Sequence, residues 1–258
     1  MLTKNLNIIM PGLNGMISLE KVSGLPISFD SKTDMLISDG LELPEPSVRT
    51  LGELWEVARN RELDVDKWEI AYWMYRDIAL KEHRQLVTKY SLRFDITVMK
   101  AFLLGDEYGK TSGHYHPDLY PEIYGVLHGT AIYVSQKRSK EDPLRIEVFT
   151  ETETKTGKLW VSPPLHGHVT INKGPETLVM ANWVSNKFES MYKPIETARG
   201  AAYYLIKTKK ESQWIPNPTY KSIPPITTGT GITPLIKSPI YTRGIEKIEN
   251  LSDFLNQK

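Results

Sequence analysis

The chain has 258 residues, 40% of them apolar and 24% charged, with a formal net charge of +1. That is an ordinary globular composition with room for one sizeable domain, and the near-zero charge argues against a nucleic-acid binder, which carries a basic stripe. Cysteine is absent, which excludes disulfides and thiolate catalysis and leaves only His, Asp or Glu to hold a metal.

The opening segment, Met1 to Pro11, has no sustained apolar run and no small-residue cleavage site, so it does not read as a secretory signal. No window approaches the ~20 apolar residues that span a bilayer. The expectation is a cytoplasmic protein with no membrane partner. Residues 1–46 are rich in Gly, Pro, Ser and Asp, which predicts loops and short strands. Ser47 then reads as a helix N-cap, because Val48, Leu51, Leu54, Trp55 and Ala58 fall at helical spacing through Arg59. Ile70–Tyr75 reads as a strand from its Tyr and Trp content.

From Leu86 to about Ile206 the pattern is β-rich. Predicted strands are Tyr90–Leu104, Tyr120–Leu127, Thr130–Gln136, Leu144–Thr150, Leu159–Val161, His168–Asn172 and Thr177–Val184, separated by short loops. Strands at that spacing mean a sandwich or barrel rather than βαβ units. The divisions are therefore 1–85, strands and a helix packing on a barrel; 86–206, the barrel; and 207–258, a C-terminal extension, all within one domain. The extension is expected to wrap the surface and end in a short helix near Ile248–Leu255. Trp55, Trp68, Trp73 and Trp160 read as packing residues.

The chemistry concentrates in Thr111-Ser112-Gly113-His114-Tyr115-His116. Two histidines one residue apart on a strand aim their imidazoles to the same side. With Glu122 and the distant His168 they supply three nitrogens and one oxygen. That set suits one divalent ion such as iron, manganese, nickel or zinc, with positions left open for substrate. His166 competes with His168 for the last place, and otherwise lines the pocket entrance. His83 reads as a surface histidine. His128 shares the face of Glu122 and Tyr124 if its strand stays regular, and reads as a core histidine near a strand end.

The two blocks resemble a cupin. His114, His116, Glu122 and Gly129 follow the first cupin block, and Pro163-Pro164 ahead of His168 and Asn172 follows the second. The resemblance implies a mainly β fold, the cupin double-stranded β-helix or jelly-roll barrel, here with an N-terminal helix and a C-terminal extension. Arg93-Phe94-Asp95-Ile96-Thr97-Val98, Gly109 to Pro117 and Tyr120-Pro121-Glu122-Ile123-Tyr124 are more particular. They resemble the cupin-type glucose-6-phosphate isomerases of archaea and some bacteria, and Val48-Arg49-Thr50-Leu51 and Asn217-Pro218 extend the similarity over about residues 25–220.

That resemblance implies a metal-dependent isomerase of glycolysis or gluconeogenesis, interconverting glucose 6-phosphate and fructose 6-phosphate as a homodimer packed through outer strands. It assigns the metal to His114, His116, Glu122 and His168, and implies an enediolate stabilised by the metal, with Glu122 as base and Tyr124 as a site tyrosine. A hydride shift is the mechanistic rival. Thr97, Thr111, Ser112, Gly113 and Tyr72 fall on positions that hold the phosphorylated hexose, and Tyr192 does so after a one-residue shift. Trp183 stands where the family has a site tyrosine, and no histidine follows it, so the sugar-facing wall is expected to differ. Rival functions are another sugar-phosphate isomerase or epimerase, for instance on mannose 6-phosphate, a non-catalytic sugar-phosphate-binding cupin, and an iron-dependent oxygenase.

Overall fold

Along Leu92–Met99 the side chains sort by parity. Leu92, Phe94, Ile96 and Val98 turn to one apolar cluster, while Arg93, Asp95 and Thr97 line a pocket on the opposite face. Such two-faced strands set the architecture of the computed structural model, which describes residues 15–62 and 64–257. Six strands form one antiparallel sheet in the order Leu159–Ser162, Glu122–His128, Leu178–Ser185, Leu92–Met99, Ile70–Tyr75, Ser47–Thr50. A second sheet of five runs Thr227–Thr228, Ile146–Lys155, Thr130–Arg138, Gly167–Ile171, His114–Tyr115. The sheets face each other across Tyr72, Tyr124 and Met180 from the first and Tyr133 from the second, with Trp160 stacked on Tyr133 at 4.7 Å. The fold is the mostly β, two-sheet cupin barrel expected from the motif blocks.

The outer face of the six-stranded sheet is covered by the chain itself. Phe29 and Leu25 from the N-terminal meander (Met16–Ser18, Ile27–Asp30, Met35–Ser38) meet it, as do Ile240, Tyr241, Ile248 and Leu251 from helices Ile240–Glu246 and Ile248–Leu255. The final helix thus lies where its apolar spacing predicted it. Those strands therefore bury their apolar side chains against their own chain.

The helix expected to begin after Ser47 is shorter. Ser47–Thr50 is an edge strand paired with Ile70–Tyr75, and the helix covers only Leu51–Leu54 before a 3₁₀ turn at Trp55–Val57. Its cap is Thr50, whose hydroxyl accepts from the Glu53 N–H while the Glu53 carboxylate returns to the Thr50 N–H at 2.8 Å. That capping box starts the helix three residues later than the apolar periodicity suggests. Trp68 is corrected too: it is 86% exposed and packs nothing. The helix Arg84–Lys89 was not anticipated, and the expected strand Tyr90–Leu104 breaks after Met99.

Candidate metal centre

His114 and His168 are cross-strand neighbours in the five-stranded sheet, and Glu122 opens the facing strand Glu122–His128. Their ligand atoms and that of His116 all lie within 4.8 Å of one another. His114 Nε2 and His116 Nε2 are 3.1 Å apart, and Glu122 Oε2 lies 3.3 Å from His116 Nε2 and 3.2 Å from His168 Nε2. Two donors about 2.1 Å from one ion and at right angles to each other are about 3 Å apart. The spacing is therefore that of ligands around an ion.

Tautomer and charge agree with that geometry. The Tyr120 carbonyl accepts from His116 Nδ1 at 3.0 Å, which leaves Nε2 bare and directed at the carboxylate. His168 Nδ1 meets the Ser162 hydroxyl at 2.9 Å. Burial, with the neighbouring imidazoles adding to it, holds His114 well below its usual range, and burial likewise lowers His168. Both are thus kept neutral, the ligating form. Burial pushes the Glu122 carboxyl up; in the metal-free chain, imidazoles of His116 and His168 that carry a proton toward it pull it well below the usual carboxylate range, and with the histidines neutral a cation takes that place. Glu122 Oε2 is buried and makes no hydrogen bond. An orphaned carboxylate oxygen facing imidazole Nε2 atoms fits a cation between them.

The remaining carboxylate oxygen is fixed by a residue that sequence reading missed. Asn182 Nδ2 donates to Glu122 Oε1 at 2.6 Å. Asn182 is a partner of Tyr124 in the ladder, so it faces the pocket and its neighbour Trp183 faces away. Trp183 is buried against Phe94 and Tyr241 and donates Nε1–H to the Ile240 carbonyl at 3.0 Å. Trp183, at the position the resemblance gives to a site tyrosine, therefore does not line the pocket. Asn182 sits at a pocket-facing position of that strand, and the Phe188 ring packs 4.4 Å from the His116 ring.

The pocket above this cluster has a volume of about 490 Å³ and also takes in Arg76, Arg93, Asp95, Thr97, Thr111 and Tyr192. Tyr124 reaches it and places its hydroxyl 3.1 Å from His168 Nε2; burial first, then the Glu122 charge, raises its pKa far above the usual value, so it stays protonated. Tyr72 is buried with its hydroxyl 3.3 Å from both the Ser112 hydroxyl and the Ser112 N–H. The Thr111 hydroxyl oxygen accepts from the Thr170 N–H at 3.0 Å, and its own proton remains free to donate. Gly113 has φ +73°, and a Cβ there would sit 2.5 Å from Val169 Cγ2, so the turn needs glycine. Tyr192 lies 5.2 Å from the His114 ring.

Other histidines fall outside. His166 is in the turn before Gly167–Ile171, bonds the Pro164 carbonyl at 2.9 Å and does not line the pocket. A bulge between Val126 and His128 swings His128 out to the Phe29 ring, so it leaves the face of Glu122 and Tyr124. His83 meets the Tyr241 hydroxyl at 3.1 Å, a packing contact. Among the described residues no helix is long and apolar enough to cross a membrane.

A family model described as glucose-6-phosphate isomerase (GPI) matches residues 55–221, more than half of the chain. The chain belongs to the glucose-6-phosphate isomerase family. No curated protein matches it by sequence. Among solved structures it is similar to oxalate decarboxylase from Lactobacillus farciminis, with 20% identity and a TM-score of 0.34 over 46% of this chain and 30% of that one. Vicilin from Corylus avellana gives 14% identity and 0.34 over 46% and 31%. An oxalate oxidase gives 15% and 0.36 over 47% and 55%. The chain thus spans less than two thirds of each of these proteins. The members of its own family are sugar-phosphate isomerases, and its His/Glu cluster fits metal binding.

Proposed function

We propose that this protein interconverts glucose 6-phosphate and fructose 6-phosphate with a divalent ion held by His114, His116, His168 and Glu122. The observation that carries the reading is the orphaned Glu122 oxygen among three imidazoles at the floor of a pocket that also presents hydroxyl donors. Moving hydrogen between C1 and C2 of an open-chain sugar develops negative charge on two adjacent oxygens. A bound divalent ion supplies Lewis-acid stabilisation of that charge.

The chain's own residues do the rest. Asn182 holds the Glu122 carboxylate so that Oε2 faces the histidines. Glu122 is the carboxylate positioned to take and return the proton at the reacting carbons, provided the sugar lies within hydrogen-bond reach. Tyr124 keeps its proton and can donate to a sugar oxygen. Tyr72, Thr97, Thr111 and Ser112, with the Gly113 turn, form the end that receives the phosphate through hydroxyls and N–H groups. A cytoplasmic setting in glycolysis or gluconeogenesis and a homodimer packed through outer strands belong to the same proposal.

The test is conversion of fructose 6-phosphate to glucose 6-phosphate before and after chelation, with iron, manganese, nickel or zinc restored. Turnover lost on chelation and regained with metal supports the reading. Binding of fructose 6-phosphate without turnover under any metal refutes it in favour of a non-catalytic sugar-phosphate binder, and faster turnover of mannose 6-phosphate corrects the substrate.

A further inference from the structure

A hexose phosphate brings about two negative charges near neutral pH, yet Tyr72, Thr97, Thr111 and Ser112 offer only neutral donors. The cations that line or flank the pocket are committed elsewhere. Arg93 Nε holds both Asp95 oxygens at 3.0 and 2.9 Å, and Arg76 Nη1 lies 3.5 Å from the same carboxylate. Lys110, which precedes Thr111, is buried and bonded to the Glu107 carboxylate and the Val57 carbonyl.

Arg49 differs. It is the ladder partner of Tyr72 on the edge strand Ser47–Thr50, so the two side chains stand on one face. Its guanidinium carbon lies 5.8 Å from the centre of the Tyr192 ring, and both tyrosines line the pocket. Nη1 bonds Glu53 at 3.0 Å, while Nε is buried with no hydrogen-bond partner. Buried donors without partners are rare in native folds, and each asks for an explanation. A guanidinium is also the side chain whose fork matches phosphate oxygens two at a time.

We propose that Arg49 meets the phosphate of the bound sugar between Tyr72 and Tyr192, and so sets the preference for phosphorylated over neutral hexoses. This rests on the sugar-phosphate reading above. The arginine supplies the charge, and the hydroxyls at the Tyr72–Ser112 end fix the orientation.

The test compares Arg49→Met, Arg49→Lys, Glu53→Gln and Arg76→Met, all metal-loaded, by fructose 6-phosphate kinetics and by calorimetric binding of inorganic phosphate. Glu53→Gln removes the same ion pair while Gln still serves the Thr50 capping box. In Arg49→Met the KM for fructose 6-phosphate and the dissociation constant of inorganic phosphate both rise roughly ten- to hundred-fold, with a much smaller change in kcat. Arg49→Lys recovers part of the loss, and Glu53→Gln stays within about two-fold of the parent. Unchanged KM in Arg49→Met, with the parent turning over fructose 6-phosphate, overturns the Arg49 assignment and leaves the isomerase reading standing. An equal rise in Glu53→Gln overturns it as well, since the arginine would then act through the strand-helix corner. A rise in Arg76→Met alone puts the phosphate at the Asp95 end and has the same force. A parent that binds phosphate through Arg49 but turns nothing over keeps this assignment and removes the isomerase.

Discussion

Replacing Asn182 with alanine tests whether the Glu122 carboxylate is held in place rather than merely present. The amide donates to Oε1 at 2.6 Å, and the two residues are 7% and 3% exposed, so water does not substitute for it. A buried hydrogen bond to a charged group contributes about 1.5–3 kcal/mol. At about 1.4 kcal/mol per factor of ten, losing it should weaken metal binding by roughly one to two decades, the range typical of residues that orient a metal's ligands. Asn182→Asp should do worse, because it sets a second carboxylate against Glu122 beside the buried Asp95, its ladder partner. Competition against a chelator gives the affinity, and a thermal melt of the chelated protein separates it from folding. An Asn182→Ala protein that melts like the parent and holds its metal equally well refutes the positioning role.

His168→Ala should release the metal and abolish turnover while His166→Ala retains both, read by metal content after dialysis; the reverse pattern shows that the wrong histidine was chosen. Gly113→Ala combines a φ of +73° with a 2.5 Å approach to Val169 Cγ2, and should destabilise the chain by about 2–4 kcal/mol in denaturant melts. A loss under 1 kcal/mol refutes the need for glycine. Trp183→Phe removes the donor to the Ile240 carbonyl and should lower stability by about 1–3 kcal/mol without changing metal content. Altered metal content in that variant would contradict its place on the outer face. For the metal-free chain, the folded pKa values of His114 and His168 lie below the ordinary 6.5. The unfolded chain therefore binds these protons first, and stability should decline as pH falls below about 6.5 and be flat with respect to these groups above it. Equal denaturation midpoints at pH 7.5 and 5.5 contradict the buried neutral pair.

Much of the site was legible because it depends on local periodicity. Parity alone puts His114 with His116 and Glu122 with Tyr124, and the glycine and hydroxyl run before His114 marks the turn that faces them. The same parity, applied to Asn182 and Trp183, needed the strand's partners to say which residue faces in, and the family resemblance pointed to the wrong one. His166 and His168 share parity, so alternation does not separate them; the spacing to Asn172 in the second motif block favoured His168, and the turn at Pro163–His166 takes His166 out of the cluster. His128, read as a core histidine near a strand end, leaves the face of Glu122 and Tyr124 at a one-residue bulge, which reverses the facing beyond it.

By itself the sequence determined a β-rich chain with motif blocks that resemble a cupin, a His/Glu group able to hold a metal ion, and a helix near Ile248–Leu255. It did so because strand alternation and ligand chemistry are properties of residues and their near neighbours. Only the tertiary structure decided that Ser47–Thr50 is a strand, that Asn182 holds Glu122, that Arg49 comes beside Tyr72 and Tyr192, and that the chain covers its own sheet. Each of those rests on pairing between segments far apart in the chain, sixty residues for Asn182 and Glu122. Long-range register, bulges and burial are settled together when the sheets close, and no window of sequence contains both partners.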